Sequence, residues 1–250
     1  MSRVLIEFLI SVHGGMRMSG FQEPVVSTQV LLITQRCYER QFLLNGESDR
    51  RRWLYWLYQA RRIHKLSVLN YVVTSNHIHL LIQDPGPQRL ANVMQMINSR
   101  LQSEYNRRQR RRQTLWDTQY QVTAVQTNTH LWRCMNYIDM NMVRAGEVRH
   151  PRMWRCSGYF ESLSPLRRAG RLDHAAVVRI LRFDNKAVLQ KARDTWIEQK
   201  LESADLSREA YWSDSLPVGD LPFALKMKRA LAFAYPAGTA QRESGCFAVR

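Results

Sequence analysis

The sequence predicts an α+β fold: a ferredoxin-like (RRM-like) antiparallel sheet with helices on one face, followed by a helical C-terminal extension. Two observations lead to this class. Runs of β-branched and aliphatic residues alternate with amphipathic segments in the order β-α-β-β-α-β, and one more helix follows the last strand. After about residue 163 the composition favours helices alone.

The elements of the predicted sheet domain follow from local patterns. Strands are expected where β-branched and aliphatic residues are consecutive, and helices where apolar residues recur every three or four positions. Thr74, Ser75 and Asn76 separate two strand-like runs, which indicates a hairpin. Gly146 suits the C-terminal stop of the last helix. In order, the elements are a strand over 25–33, a helix capped by Ser48, strands over 66–73 and 77–83, a helix across 90–105, a strand over 120–125 and a helix over 129–146.

The chain divides into three predicted parts. Residues 1–24 are punctuated by glycines and closed by Pro24, which suggests an N-terminal extension outside the core. Residues 25–162 form the sheet domain. Residues 163–250 form the C-terminal extension, with helices expected over 175–183, 185–200 and 223–233 and a loop over 213–222.

Composition narrows the class of partner. The net charge of +16, from 37 Lys and Arg against 21 Asp and Glu, creates a positive field that favours a polyanion, and nucleic acid is the usual one. Charge alone does not decide, because basic proteins that never touch nucleic acid are common. The four cysteines have no Cys-x-x-Cys spacing, so neither a zinc knuckle nor a disulfide framework is indicated.

The expected location is the bacterial cytoplasm, in association with the nucleoid. Free thiols suit a reducing compartment. The apolar run near the N-terminus is interrupted by Glu7 and is too short to span a bilayer, so no membrane segment is expected.

His77 and His79 are the first candidate functional residues. They alternate within a strand-like run, so both imidazoles project from one face of the sheet. Two neutral imidazoles side by side can hold a divalent metal and leave positions open for another ligand and a substrate. The alternative is ordinary, since two histidines at this spacing are more often half-buried polar positions.

A second candidate group lies on the helix over 129–146. Tyr137, Asn141 and Arg144 share a stripe beside the apolar stripe of this helix. An oxygen of Asn141 could complete a metal site while the Tyr137 phenol points to the same centre. The alternative is that Tyr137 caps the surface and Asn141 is solvated.

Two sequence blocks resemble those of a known family. Asn-His-Ile-His-Leu-Leu at 76–81 and Tyr-Ile-Asp-Met-Asn-Met-Val-Arg-Ala-Gly at 137–146 are similar to the signature blocks of REP-associated tyrosine transposases, members of the HUH single-tyrosine transposase superfamily. An arginine-containing turn at 35–42, the segment 115–120 and a Pro-x-x-Trp-x-x-Ser-x-Tyr close at 151–159 occur in the family's order. The resemblance covers about residues 25–162.

The resemblance implies a reaction and its residues. His77 and His79 correspond to the metal ligands, Asn141 to a third ligand and Tyr137 to the nucleophile. The ion would be Mg²⁺ or Mn²⁺. The family cleaves single-stranded DNA, forms a 5′-phosphotyrosine bond and releases a 3′-hydroxyl. The implied substrate is single-stranded DNA with palindromic hairpins, and a monomer and a homodimer are both compatible with the sequence.

Several arginines are predicted to contact DNA. Arg36 lies in the turn after the first strand, and Arg144 could either stabilise a phenolate or contact a phosphate. A run at the end of the 90–105 helix suits phosphate tracking, although a solvated helix end is the alternative. The run consists of Arg107, Arg108, Arg110, Arg111 and Arg112.

The sequence departs from the family pattern at two positions that concern the site. Met142 stands where the family usually has proline, and Gln29 where it usually has histidine. Neither replaces a candidate ligand or the nucleophile, so activity is expected to survive, although Gln29 could weaken DNA contacts or metal-site support.

A rival function is a domesticated, non-cleaving binder of structured single-stranded DNA or RNA. The presence of both histidines together with Tyr137 and Asn141 favours the intact enzyme, because a pure binder does not need all four.

Overall fold

A computed structural model describes residues 29–117, 119–127, 129–164, 170–203, 206, 207, 209, 211–214 and 217–235. The predicted N-terminal extension 1–24 and the first four residues of the predicted first strand lie outside the described residues. No helix in the described ranges is long and apolar enough to cross a membrane.

The sheet confirms the predicted α+β class. Its strand order is β2-β3-β1-β4-β5, in which the first four strands are antiparallel neighbours and β5 adds to β4 in parallel. The order of the four antiparallel strands is the ferredoxin-like one, while β5 comes from the C-terminal extension and makes the sheet mixed. The strands are β1 Val30–Arg36, β2 Val68–Val73, β3 His77–Gln83, β4 Gln121–Val125 and β5 Pro217–Val218.

Two long helices cover one face of the sheet. Trp53, Leu54 and Leu57 of the first helix are buried against this face. So are the six apolar residues that recur at three- and four-residue intervals in the predicted 90–105 helix, which are Leu90, Val93, Met94, Ile97, Leu101 and Tyr105. In chain order the helices are α1 Glu47–His64, α2 Pro87–Gln109, α3 Thr129–Asp139, α4 Asn141–Arg144, α5 Gly158–Ser162, α6 His174–Ile180, α7 Lys186–Glu202, α8 Tyr211–Asp214 and α9 Leu221–Ala234.

The opposite face of the sheet is also covered. Leu32, Leu81 and Val125 point to this side and pack in one cluster with residues of α3, α6 and α7 and with Trp212. The prediction of helices on one face of the sheet is therefore incomplete. It describes α1 and α2, but a second layer of helices covers the other face. The physical reason is that this face is itself apolar and has to be buried.

Three local predictions differ from the structure. The first strand continues to Arg36 because its last residues pair with β3. Ser48 is inside α1, and Gly46 occupies the N-cap position without a side-chain hydrogen bond. The helix predicted over 129–146 divides at Met140, whose ψ of 0° separates α3 from α4, while Gly146 ends it in the expected left-handed conformation with φ 74°.

A buried ion pair joins the sheet domain to the C-terminal extension. Arg193 of α7 donates from Nη2 to Oδ2 of Asp139 at 2.7 Å, and both side chains are almost fully buried. Asn70 of β2 donates from Nδ2 to the same carboxylate at 2.8 Å. The pair therefore fixes the end of α3 against both β2 and α7. The boundary at residue 162 stays a prediction, although the described residues beyond it share cores with the sheet.

Replacing Arg193 with alanine is expected to destabilise the protein by about 3–5 kcal/mol, because the Asp139 carboxylate would stay buried without its partner. Urea unfolding followed by circular dichroism measures the free energy of unfolding. Lys191→Ala, an exposed position on the same helix, is the control and should change it by less than about 0.5 kcal/mol. Equal stabilities for the two variants would contradict the anchoring role of the pair.

Candidate active site

The register of β1 against β3 positions the two histidines. His77 pairs with Arg36 and His79 pairs with Thr34, so the alternation of the strand puts both imidazoles on the face covered by α3. Their ring centroids are 4.9 Å apart. His79 is 1% exposed, whereas His77 at the strand end is half-buried. The structure therefore places the two predicted histidine side chains next to each other.

Hydrogen bonds hold both rings by the same nitrogen. Nδ1 of His79 lies 2.9 Å from Oγ1 of Thr34, and Nδ1 of His77 lies 2.7 Å from Oδ1 of Asn76. When Nδ1 carries the proton, Nε2 carries the lone pair, which is the form of imidazole that binds a metal. The donor set therefore fits a divalent cation. Sequence reasoning missed Thr34, although its position two residues before Arg36 on one strand places it on the histidine face.

Tyr137 reaches the histidines from α3. Its ring centroid is 5.5 Å from that of His79, and the residue is 6% exposed. Arg144 lies over the Tyr137 ring, with Cζ 4.2 Å from the centroid, and donates from Nη2 to the Tyr137 carbonyl oxygen at 2.7 Å. The helix thus places a phenol beside the imidazole pair and a guanidinium beside the phenol.

Asn141 follows Tyr137 by four residues. It is the first residue of α4, directly after the break at Met140, and is half-buried. Within the described ranges its side chain makes no hydrogen bond. The same ranges contain no group of three His, Cys, Asp or Glu residues that could hold a metal ion. A metal on the histidines would need oxygen ligands from elsewhere, and Asn141 as a third ligand stays a prediction.

The C-terminal extension encloses the outer side of Tyr137. The Trp212 ring lies 5.9 Å from that of Tyr137, centroid to centroid. A pocket opens between α3, α4 and α7 beside the tyrosine. It is lined by Arg133, Tyr137, Met140, Arg144, Trp196, Lys200, Leu206, Ser207 and Glu209. We call this side of the site the Trp212 wall. It has no signal in the sequence, because the extension carries no motif that points to the tyrosine.

The described cysteines do not offer a competing nucleophile. Burial raises the pKa of the Cys37 thiol to about 12, and burial also raises the pKa of Cys134 and of Cys156. The three thiols are free and buried. They stay protonated at neutral pH, and a protonated thiol is a poor nucleophile and metal ligand.

Comparison with known proteins identifies the family of the domain that contains these site residues. Residues 25–141 match the family model described as "Transposase IS200 like". This part of the chain belongs to the IS200-like transposase family. The matched range contains both histidines, Tyr137 and Asn141, so the predicted relationship to the tyrosine transposases is confirmed.

Two further comparisons were with solved structures and with curated proteins. A solved structure of a REP-associated tyrosine transposase bound to a REP hairpin is similar to this chain at 15% sequence identity and a TM-score of 0.45. The similarity covers 59% of this chain and 87% of that one. A search among curated proteins found no match.

The arginines predicted to contact DNA are not equivalent in the transposase domain. Arg36 is half-buried beside His77 in the sheet. Arg108 forms an ion pair with Asp49, and Arg111 lies over the Tyr105 ring at 5.2 Å, so both have structural contacts. Arg111 is half-buried, and the other four members of the run are exposed: Arg107, Arg108, Arg110 and Arg112.

The two departures from the family pattern have different structural outcomes. Gln29 precedes β1 and accepts a hydrogen bond from the Asp84 backbone, at the end of the strand opposite His77. At about 3.3 Å per residue this is roughly 20 Å from the histidines. The expectation that Gln29 weakens metal-site support is therefore wrong. Met142 is buried in the core between α4 and the sheet, where an apolar side chain is required.

Proposed function

We propose that this chain is a metal-dependent single-stranded DNA endonuclease and strand transferase that acts through a 5′-phosphotyrosine at Tyr137. The observation that carries the proposal is the 5.5 Å separation of the Tyr137 and His79 rings on the histidine face of the sheet. A phenol beside two imidazoles whose Nδ1 atoms are held by hydrogen bonds is the arrangement that this chemistry requires.

His77 and His79 would hold the divalent ion, Mg²⁺ or Mn²⁺, with Asn141 as a further oxygen ligand. When bound, the ion polarises the scissile phosphate and offsets the charge that develops there. Thr34 and Asn76 support the site by fixing the two rings through Nδ1.

The chain's own groups account for the covalent step. The Tyr137 phenol loses its proton to solvent, and its oxygen attacks the scissile phosphorus to form a P–O bond. The bond from phosphorus to the 3′ oxygen breaks, and this oxygen takes a proton from solvent and becomes the 3′-hydroxyl. Arg144, held over the ring and bonded to the Tyr137 carbonyl, supplies positive charge beside the reacting phenol. Because the phosphotyrosine keeps the energy of the phosphodiester, a second 3′-hydroxyl can reverse the step and join the strand.

The proposed substrate is single-stranded DNA that folds into palindromic hairpins of the REP type. Support comes from the net charge of +16 and from the exposed Arg107, Arg110 and Arg112. Phosphate contacts of this kind position a strand without reading its sequence. We place the protein in the cytoplasm at the nucleoid, a proposal that the buried free thiols support.

One observation favours a second function, that of a non-cleaving binder of structured single strands. Tyr137 is 6% exposed and its ring lies 5.9 Å from that of Trp212, so little of the phenol is open to a scissile phosphate. A domesticated chain that only binds DNA would not need an accessible phenol.

The adduct assay tests the proposed reaction. End-labelled single-stranded DNA with the palindromes that flank the gene is incubated with the protein and Mn²⁺ and resolved on a denaturing gel. The unsubstituted chain should form a protein–DNA adduct, Tyr137→Phe should form none, and Tyr55→Phe, at an exposed position, should behave as the unsubstituted chain. Retarded but uncut DNA with all three proteins would instead support the binder.

The support of the metal site gives a separate prediction. Thr34→Val removes the hydroxyl that bonds His79 Nδ1 and should weaken Mn²⁺ binding about 10- to 100-fold, the usual effect of losing such a partner. Thr34→Ser keeps the hydroxyl and is the control. Isothermal titration calorimetry measures the affinity without DNA. Equal affinities for Thr34→Val and the unsubstituted chain would show that this hydrogen bond does not support a metal.

A further inference from the structure

The turn after β1 exposes two aromatic rings at the end of the sheet where His77 lies. Phe42 is 66% exposed and Tyr38 is 40% exposed. Apolar rings of this size are normally buried, so a pair of them on one short turn is a candidate contact surface. We call the turn 37–44 the aromatic turn.

The aromatic turn is held rigidly at both ends. The backbone N–H of Cys37 donates to Asn76 at 2.8 Å, that of Tyr38 donates to Leu115 at 3.1 Å, and that of Leu44 donates to Ser75 at 2.9 Å. The backbone that carries the rings is therefore fixed, which lowers the entropy that a ligand has to offset on binding.

Its backbone is also strained. Glu39 and Arg40 have φ values of 51° and 58°, in the left-handed region that residues other than glycine seldom adopt. Such conformations persist where the surrounding structure imposes them, and they concentrate at ligand sites. Strain and exposure thus occur in the same few residues.

The aromatic turn is coupled directly to a proposed metal ligand. Asn76 donates from Nδ2 to the Arg40 carbonyl oxygen at 3.5 Å, and its Oδ1 lies 2.7 Å from Nδ1 of His77. One amide side chain therefore fixes the position of the turn relative to the histidine. A ligand on the exposed rings would be held at a set distance from the reaction centre.

Charged groups of both signs surround the aromatic turn. Glu39 lies within it, and Asp117 accepts from the Glu39 backbone N–H at 3.2 Å. Arg40 is exposed within the turn, and Arg110 and Arg112 are exposed on the segment that leads to Leu115, where Tyr38 is anchored. Aromatic rings interleaved with arginines form the usual surface for a single strand, because bases stack on the rings while arginines follow the phosphates.

From these observations we propose that Phe42 and Tyr38 form a stacking platform for unpaired bases of the DNA strand whose phosphate enters the site at His77. The inference rests on the proposed function only in taking single-stranded DNA as the ligand. It assigns the aromatic turn a role in holding the strand, independent of whether Tyr137 cleaves it.

The test measures binding and stacking without cleavage. The probe is a DNA hairpin with an eight-nucleotide single-stranded extension that carries 2-aminopurine at one position at a time. It is titrated with protein in the Tyr137→Phe background without divalent metal. Phe42→Leu keeps apolar bulk without a ring, Phe42→Trp restores a ring, and Ile63→Ala removes an apolar side chain of similar exposure, 62%, on α1.

We expect Phe42→Leu to bind about 5- to 100-fold more weakly, the range for losing one stacked base, and to lose 2-aminopurine quenching at one position. Phe42→Trp and Ile63→Ala should bind within about twofold of the parent. Equal affinity and quenching for Phe42→Leu and the parent would overturn the inference, as would failure of the parent to bind the probe. Because neither readout needs cleavage, a negative adduct assay leaves this result interpretable.

Discussion

The pairing of β1 with β3 is the constraint on which the site depends. This register places Thr34 opposite His79 and Arg36 opposite His77, so one hydrogen-bonded ladder positions both the histidine pair and the hydroxyl that contacts His79. A slip of one residue would move both imidazoles into the core beneath α1 and α2 and expose Ile78 to α3. The central position of β1, with β3 and β4 on either side, makes such a slip costly.

The second constraint is that both faces of the sheet are apolar. One face is closed by helices within the sheet domain, and the other is closed by α3 together with the C-terminal extension. Asp139 lies between Tyr137 and Asn141 in the chain, and its buried carboxylate requires an ion-pair partner. Arg193 of the C-terminal extension provides this partner. The tyrosine helix is thus held from both sides. The same packing that orients Tyr137 also limits the access of a strand to it.

Much of the sheet domain could be predicted from the sequence because its signals are local. The six apolar positions of α2 and the three polar residues between β2 and β3 each specify an element without reference to the rest of the chain. The position of His77 and His79 on one face of the sheet followed from strand alternation alone. The position of Tyr137 beside them depends on how α3 crosses the sheet, which the sequence did not show.

The remainder depends on contacts between residues far apart in the chain. The Arg193–Asp139 pair, the Trp212 wall and the parallel strand β5 join the C-terminal extension to the domain, and none of them has a local signature. The first strand ended too early in the prediction because its last residues, Thr34, Gln35 and Arg36, are polar. They belong to the strand because β3 pairs with them.

Tyr137 is the residue that we propose becomes linked to DNA. Mass spectrometry of the adduct after nuclease and trypsin digestion tests this directly, because the tryptic peptide over 134–144 contains Tyr137 and no other tyrosine. We expect a nucleotide mass on that peptide, localised to Tyr137 by fragmentation. The same mass on a peptide with a different tyrosine would show that Tyr137 is not the nucleophile.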